Sequence, residues 1–170
     1  MILRISTFIA IAFLATNAIA GNAPRFHDEF AKAAPVALAA QTENKAAGIP
    51  TGQPLIVQFW ASWCVGCRSA MESSIKKLDT NDLKVGFINI SLDEDPAAAR
   101  NYLKPAGPLA ERLTAAAFVD TRQKLAESLN IKAVPATLFI NRDGSVAGQL
   151  LGHGSPVEFE RLFRQISQAH

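Results

Sequence analysis

Two cysteines, Cys64 and Cys67, are the only ones in a chain of 170 residues, and Val65 and Gly66 separate them. A Cys-x-x-Cys pair can cycle between dithiol and disulfide, or offer two thiolates to a metal. A disulfide that serves stability gains most when it closes a long loop. A bridge across two intervening residues closes almost nothing, so this pair is poorly placed for stability and well placed for chemistry. Zinc would need two further ligands, and the three histidines, His27, His153 and His170, are scattered along the chain. No metal and no cofactor is therefore expected. Exchange requires one cysteine to attack as the thiolate and the other to resolve the mixed disulfide that results.

The flanking segments say which cysteine does which. Leu55-Ile56-Val57-Gln58-Phe59-Trp60 is a nearly continuous apolar run, the pattern of a strand buried on both faces. After the pair, Cys67, Met71, Ile75 and Leu78 recur at helical spacing, so a helix starts beside the cysteines. Cys64 then lies at the helix N-terminus, where unpaired N–H groups and the dipole favour a thiolate. That lowers its pKa and makes it the nucleophile. Cys67 lies one turn inside, facing the core, as a resolving thiol should.

The rest of the chain alternates. A second strand is expected over residues 85–90. A helix opens at Asp95-Pro96, with Asp as N-cap and Pro at the first helical position, and ends near Leu103. Pro105-Ala106-Gly107-Pro108 breaks it, and a short helical turn follows. Residues 116–119 read as a strand ending at Asp120, with a helix from there through Leu129. Val134 and residues 136–140 form another strand, and Asn141-Arg142-Asp143-Gly144 turns it into an antiparallel partner over 145–151. Ser155 and Glu158 suggest a capping box for a last helix with Phe159, Leu162, Phe163 and Ile166 inward. This order predicts an α/β fold whose final hairpin makes the sheet mixed.

Composition bounds the partners. Apolar residues make up 49%, charged residues 19%, and the net charge is +2. The longest basic run is Lys76-Lys77, so nucleic acid and anionic membranes are not expected ligands. At the start, Met1-Ile2-Leu3-Arg4, an apolar stretch and Ala18-Ile19-Ala20 read as a signal peptide over 1–20, cleaved after Ala20. Export would deliver the cysteines to a compartment where disulfides persist. Residues 21–50 read as an Ala-rich extension and linker, with a helical stretch interrupted by Pro35, and residues 51–170 as the main domain.

The segment Phe59-Trp60-Ala61-Ser62-Trp63-Cys64-Val65-Gly66-Cys67-Arg68 resembles the active-site segment of thioredoxins, most of all the periplasmic TlpA/ResA/DsbE-like branch. Val134-Pro135-Ala136-Thr137 resembles that family's cis-proline loop, Asn141-Arg142-Asp143-Gly144 its hairpin turn, and residues 93–113 the helical insert of the branch. The resemblance covers about residues 51–170. It implies a thioredoxin-like fold, with a mixed central sheet flanked by helices and the insert between the CxxC helix and the cis-Pro loop. An X-Pro bond is ordinarily trans; the resemblance implies cis at Pro135, with the Val134 backbone docking substrate beside Cys64. Trp63 is expected to line that docking surface and Trp60 to be core.

Several residues depart from the family pattern. Gln58 stands where thioredoxins have a buried carboxylate, Ala70 where the ResA-like branch often has glutamate, and Glu72 where a proline usually kinks the helix. No usual base for Cys67 is present, and Gln58 can hydrogen-bond but cannot take a proton at neutral pH. Val65-Gly66 lacks the frequent proline, and Arg68, the nearest cation, is expected to point outward. The resemblance implies a periplasmic thiol–disulfide oxidoreductase, reducing protein disulfides or acting on apocytochrome thiols. Its partners would be protein disulfide or dithiol substrates and a membrane-bound thiol reductase as electron donor, and the chain is expected to be a monomer. The alternatives are a disulfide-forming oxidant and a copper-handling protein using His153, for which a solvated loop residue is the preferred reading.

Overall fold

A computed structural model describes residues 24–38, 49–80, 84–104 and 107–168. The expected signal peptide lies outside the described residues. In chain order the elements are α1 (Phe26–Ala33), β1 (Val36–Ala37), β2 (Leu55–Trp60), α2 (Cys67–Asp79), β3 (Gly86–Ser91), α3 (Pro96–Leu103), α4 (Pro108–Ala115), β4 (Ala117–Val119), α5 (Lys124–Ser128), β5 (Ala136–Ile140), β6 (Val146–Leu151) and α6 (Pro156–Gln168).

The six strands form one sheet in the order β1-β4-β3-β2-β5-β6. β2, β3 and β4 run parallel, while β5, β6 and β1 pair antiparallel with their neighbours. This is the mixed sheet expected from the sequence, and the fold is thioredoxin-like. β2 is central and every one of its residues is buried, which explains its unbroken apolar run. Because side chains alternate along a strand, Leu55, Val57 and Phe59 face one side. There they pack with Phe26 of α1 and Leu125 and Ala126 of α5. On the other side Trp60 packs with Met71 and Ile75 of α2, Leu103 of α3 and Leu113 of α4. Ile56 joins the α6 side chains Phe159, Leu162, Phe163 and Ile166, the four expected to point inward.

Local chemistry explains most boundaries. The Asp95 side chain accepts from the Ala97 N–H at 2.8 Å, and Pro96 occupies the first turn of α3. The buried Asp120 carboxylate accepts from the N–H groups of Leu125 and Ala126, so α5 begins only at Lys124, later than expected. The capping box at α6 is not completed by Glu158, whose carboxylate is taken by Arg161.

Within residues 26–38 the helical stretch read before Pro35 is α1, and the short strand β1 follows it. Phe26 is fully buried, and Val36 and Ala37 pair with Val119 and Phe118. A two-residue strand carries too little periodicity to be seen in an Ala-rich stretch. The pairing partners of β1, Phe118 and Val119, lie 81 and 83 residues along the chain from Ala37 and Val36.

Candidate active site

The strand-to-helix junction after β2 carries the pair. Cys64 and Cys67 are joined in a disulfide, with Cα atoms 5.5 Å apart. Cys67 is fully enclosed, whereas Cys64 keeps 7% of its surface. The turn is closed by Cys64 N–H donating to Ala61 O at 3.1 Å and Cys67 N–H donating to Cys64 O at 3.3 Å. Beside it Trp63 is 69% exposed and Val65 wholly so, an apolar rim next to the cysteine that keeps some surface. Trp60 is core, as expected, and its indole N–H donates to Asn89 Oδ1 at 2.8 Å.

A side chain from α3 grips this turn. The Tyr102 hydroxyl donates to Cys64 O at 3.3 Å and accepts from the Arg68 N–H at 3.1 Å. The ring stacks on Trp60 with centroids 5.1 Å apart. Arg68 does not point outward as expected. Its guanidinium lies 4.8 Å from the Tyr102 ring centroid and donates to the Tyr102 carbonyl. A cation–π contact and a charge-assisted hydrogen bond outweigh full hydration here. On the preceding loop, the Asp93 carboxylate accepts from Ser62 N–H at 3.0 Å, Ser62 Oγ at 2.7 Å and Ser91 Oγ at 2.5 Å. It thereby fixes the approach to Cys64.

Gln58 is fully buried and bonds to Ser74 on the α2 side of the sheet. Its Oε1 accepts from Thr137 Oγ1 at 2.9 Å and Ser74 Oγ at 3.4 Å, and its Nε2 donates to Ala136 O at 3.3 Å. All its polar atoms are thus occupied. None of these partners is a protonatable group, and Gln58 itself cannot take a proton at neutral pH.

The Val134–Pro135 bond is cis. Val134 packs against the buried cluster that contains Cys64, Cys67 and Trp60, which brings the loop to the pair across more than sixty residues of sequence. Pro135 O accepts from Gly152 N–H at 2.7 Å, tying in the turn after β6. The next residue, His153, is exposed in this turn, as expected, and also touches α2. Its Nε2 is 2.8 Å from Ser69 Oγ, and its ring lies against Gly66. Tyr102, Asp93 and Ser69 were not singled out from the sequence. Only His153 carried a local signal, a histidine between two glycines in a turn. Among the described residues no three His, Cys, Asp or Glu side chains converge as a metal site, and no helix is long and apolar enough to cross a membrane.

This arrangement can do dithiol chemistry. Opening the disulfide leaves Cys64 in the turn three residues before α2, keeping a little surface, and Cys67 enclosed as the first residue of α2 and not one turn inside it as expected, within reach to re-form the bond.

A family model described as a thioredoxin-like domain matches residues 42–167. Thiol-disulfide oxidoreductase ResA of Bacillus thuringiensis (strain Al Hakam) is 24% identical over 117 residues, covering 68% of this chain and 65% of that protein. The chain thus spans just under two thirds of that relative's length. Sporulation thiol-disulfide oxidoreductase A of Bacillus subtilis (strain 168) is 23% identical over 125 residues, covering 71% of each. The crystal structure of a protein assigned as thiol:disulfide interchange protein DsbE from Chlorobium tepidum superposes with a TM-score of 0.52 at 26% identity, covering 68% of this chain and 79% of that one.

Proposed function

The chain belongs to the thioredoxin-like family, and from that membership we propose that it is an exported thiol–disulfide oxidoreductase that reduces protein disulfides in the periplasm. The observation that carries this reading is the Cys64–Cys67 disulfide at the start of α2, with accessible surface on Cys64 alone and the cis Val134–Pro135 loop packed against the pair. The names of the relatives, thiol-disulfide oxidoreductases among them, support the same chemistry.

In the reducing direction the Cys64 thiolate attacks one sulfur of a substrate disulfide, and the other leaves as a thiolate. Cys67 then loses its proton and attacks the Cys64 sulfur. The second substrate thiolate departs and the Cys64–Cys67 bond forms, so two electrons pass to the substrate. A dithiol donor must open the bond again, and a membrane-bound thiol reductase is the donor this reading requires. Trp63, Val65 and Val134 offer the apolar surface on which an extended substrate segment would lie, with Pro135 shaping the loop. A role on apocytochrome thiols before haem attachment is one substrate class compatible with that surface.

The direction follows from electrostatics. A pair is oxidising when its thiolate form is strongly stabilised. Arg68 is committed to Tyr102, and Val65 and Gly66 carry no side-chain donor. With the helix terminus as the main influence at neutral pH, the Cys64 pKa should fall modestly. Equilibration with glutathione at pH 7 is therefore expected to give a potential nearer thioredoxin's, about −270 mV, than DsbA's, about −120 mV. A value near the latter would make the protein an oxidant and overturn the direction.

A further inference from the structure

Gly66 precedes α2 and has no side chain to cap it, so the N–H groups of the first turn need partners from elsewhere. Arg68 N–H finds one on another element, donating to the Tyr102 hydroxyl at 3.1 Å. That hydroxyl passes its own proton to the Cys64 carbonyl at 3.3 Å. One oxygen on α3 therefore touches the backbone on both sides of the Cys-x-x-Cys turn, at its first residue and at the residue after its last. The Cys64 carbonyl also accepts from Cys67 N–H at 3.3 Å, so the turn is closed from within at the same atom.

Tyr102 is itself held in place. Its ring stacks on Trp60, which is fully buried. The Arg68 guanidinium lies over that ring and donates to the Tyr102 carbonyl. Its neighbours on α3, Ala99 and Leu103, are buried as well. A hydroxyl on a ring fixed in this way loses little conformational freedom when it bonds.

We propose that Tyr102 is the positioning residue of the resolving step: its hydroxyl holds the reduced turn closed, which raises the effective concentration of Cys67 at the Cys64 sulfur and makes the pair a stronger reductant. The inference rests on the dithiol reading above. In the resolving step the Cys67 thiol gives its proton to solvent and its sulfur attacks the Cys64 sulfur. The bond from Cys64 to the substrate sulfur breaks, and the substrate leaves as a thiolate. Such an intramolecular displacement gains from freedom that its two ends have already lost. The disulfide closes the turn covalently and the hydroxyl closes it by hydrogen bonds, so each favours the other, and reciprocally. The first attack needs only the Cys64 sulfur and a substrate disulfide, so the closed turn contributes little to it. A contact that merely fastened α3 to α2 would stabilise both redox forms alike and leave the potential where it is.

Tyr102→Phe keeps the ring on Trp60 and removes the hydroxyl alone. Against a glutathione buffer, its equilibrium constant for forming the Cys64–Cys67 bond should fall about three- to fivefold, the range for one net hydrogen bond. That fall corresponds to a rise in potential of about 15–20 mV. Stopped-flow release of a chromogenic thiol from the Cys64 mixed disulfide should slow in step with it. Attack of Cys64 on the same chromogenic disulfide, in a Cys67→Ser background, should change much less. Urea unfolding of both redox forms closes the cycle: the substitution should cost the oxidised protein more than the reduced one. Equal losses in the two forms with an unchanged potential would overturn the inference and leave the dithiol reading intact, as would equal slowing of attack and resolution. Failure of the unmodified protein to equilibrate with glutathione would remove both.

Discussion

Gln58 shows how a single residue sets both stability and rate at this site. Its amide satisfies Thr137, Ser74 and the Ala136 carbonyl in a region closed to water. Gln58→Leu should cost roughly 1–3 kcal/mol, because it strands those partners; urea unfolding measures it. The same amide cannot remove the Cys67 proton, so resolution of a Cys64 mixed disulfide should be slow at neutral pH. Its rate should climb with pH by up to roughly tenfold per unit while the thiolate fraction grows, which stopped-flow release of a labelled thiol would follow. A plateau already at pH 6 would reveal a base at the site. Tyr102 acts through the backbone. Tyr102→Phe leaves the Arg68 N–H without its partner and should cost about 1 kcal/mol, read from the same urea curves. The cysteines, Gln58 and Pro135 were legible in the sequence because motif and neighbours identify them. Tyr102 was not, because its bond to the Cys64 carbonyl reaches across 38 residues, and His153 was noted only as a copper candidate, because its contact with Ser69 reaches across 84; no local pattern encodes either contact.

Among the elements, β2 and α2 were readable because their burial is written in their own periodicity. β2 is buried throughout, and α2 buries Cys67, Met71 and Ile75 at intervals of four. The chemistry of Asp95-Pro96 likewise marked the start of α3. A helical stretch before Pro35 was legible, but β1 was lost in an Ala-rich stretch, as was the reach of Phe26 into the core beneath β2. Phe26→Ala should therefore destabilise by about 3–5 kcal/mol, the range for a buried aromatic truncated to alanine. A thermal melt unchanged by this substitution would mean that α1 does not belong to the cooperative unit. Arg68 was misjudged for a related reason. Helical geometry alone sends it outward, and only the neighbouring α3 supplies the ring and carbonyl that draw it back.

The molecule packs three clusters about one sheet, and the reactive pair Cys64 and Cys67 belongs to the one that also holds Trp60, Met71 and Leu113. Surface charge contributes little to holding it. Glu158 and Glu160 are held below the usual carboxylate range by hydrogen bonds to Arg161 and Arg164, and Asp143 by hydrogen bonds to Ser145. Their folded pKa values are lowered, so the stability they add is present above the ordinary carboxylate range and is lost as pH falls through the folded values. All three are solvent-facing, so the urea midpoint should stay nearly flat from pH 7 to about 5 and decline gradually only below about 4. A steep loss near pH 6 would point to a buried group instead.

The central claim is that Cys64 attacks disulfides and Cys67 resolves the product. Incubating Cys67→Ser and Cys64→Ser variants with a disulfide-bonded peptide, then weighing the intact adducts by mass spectrometry, tests it most directly. Cys67→Ser should accumulate a mixed disulfide through Cys64, while Cys64→Ser, whose remaining thiol has no surface of its own, should form little or none. Equal trapping by both variants, or trapping through Cys67 alone, would contradict the account.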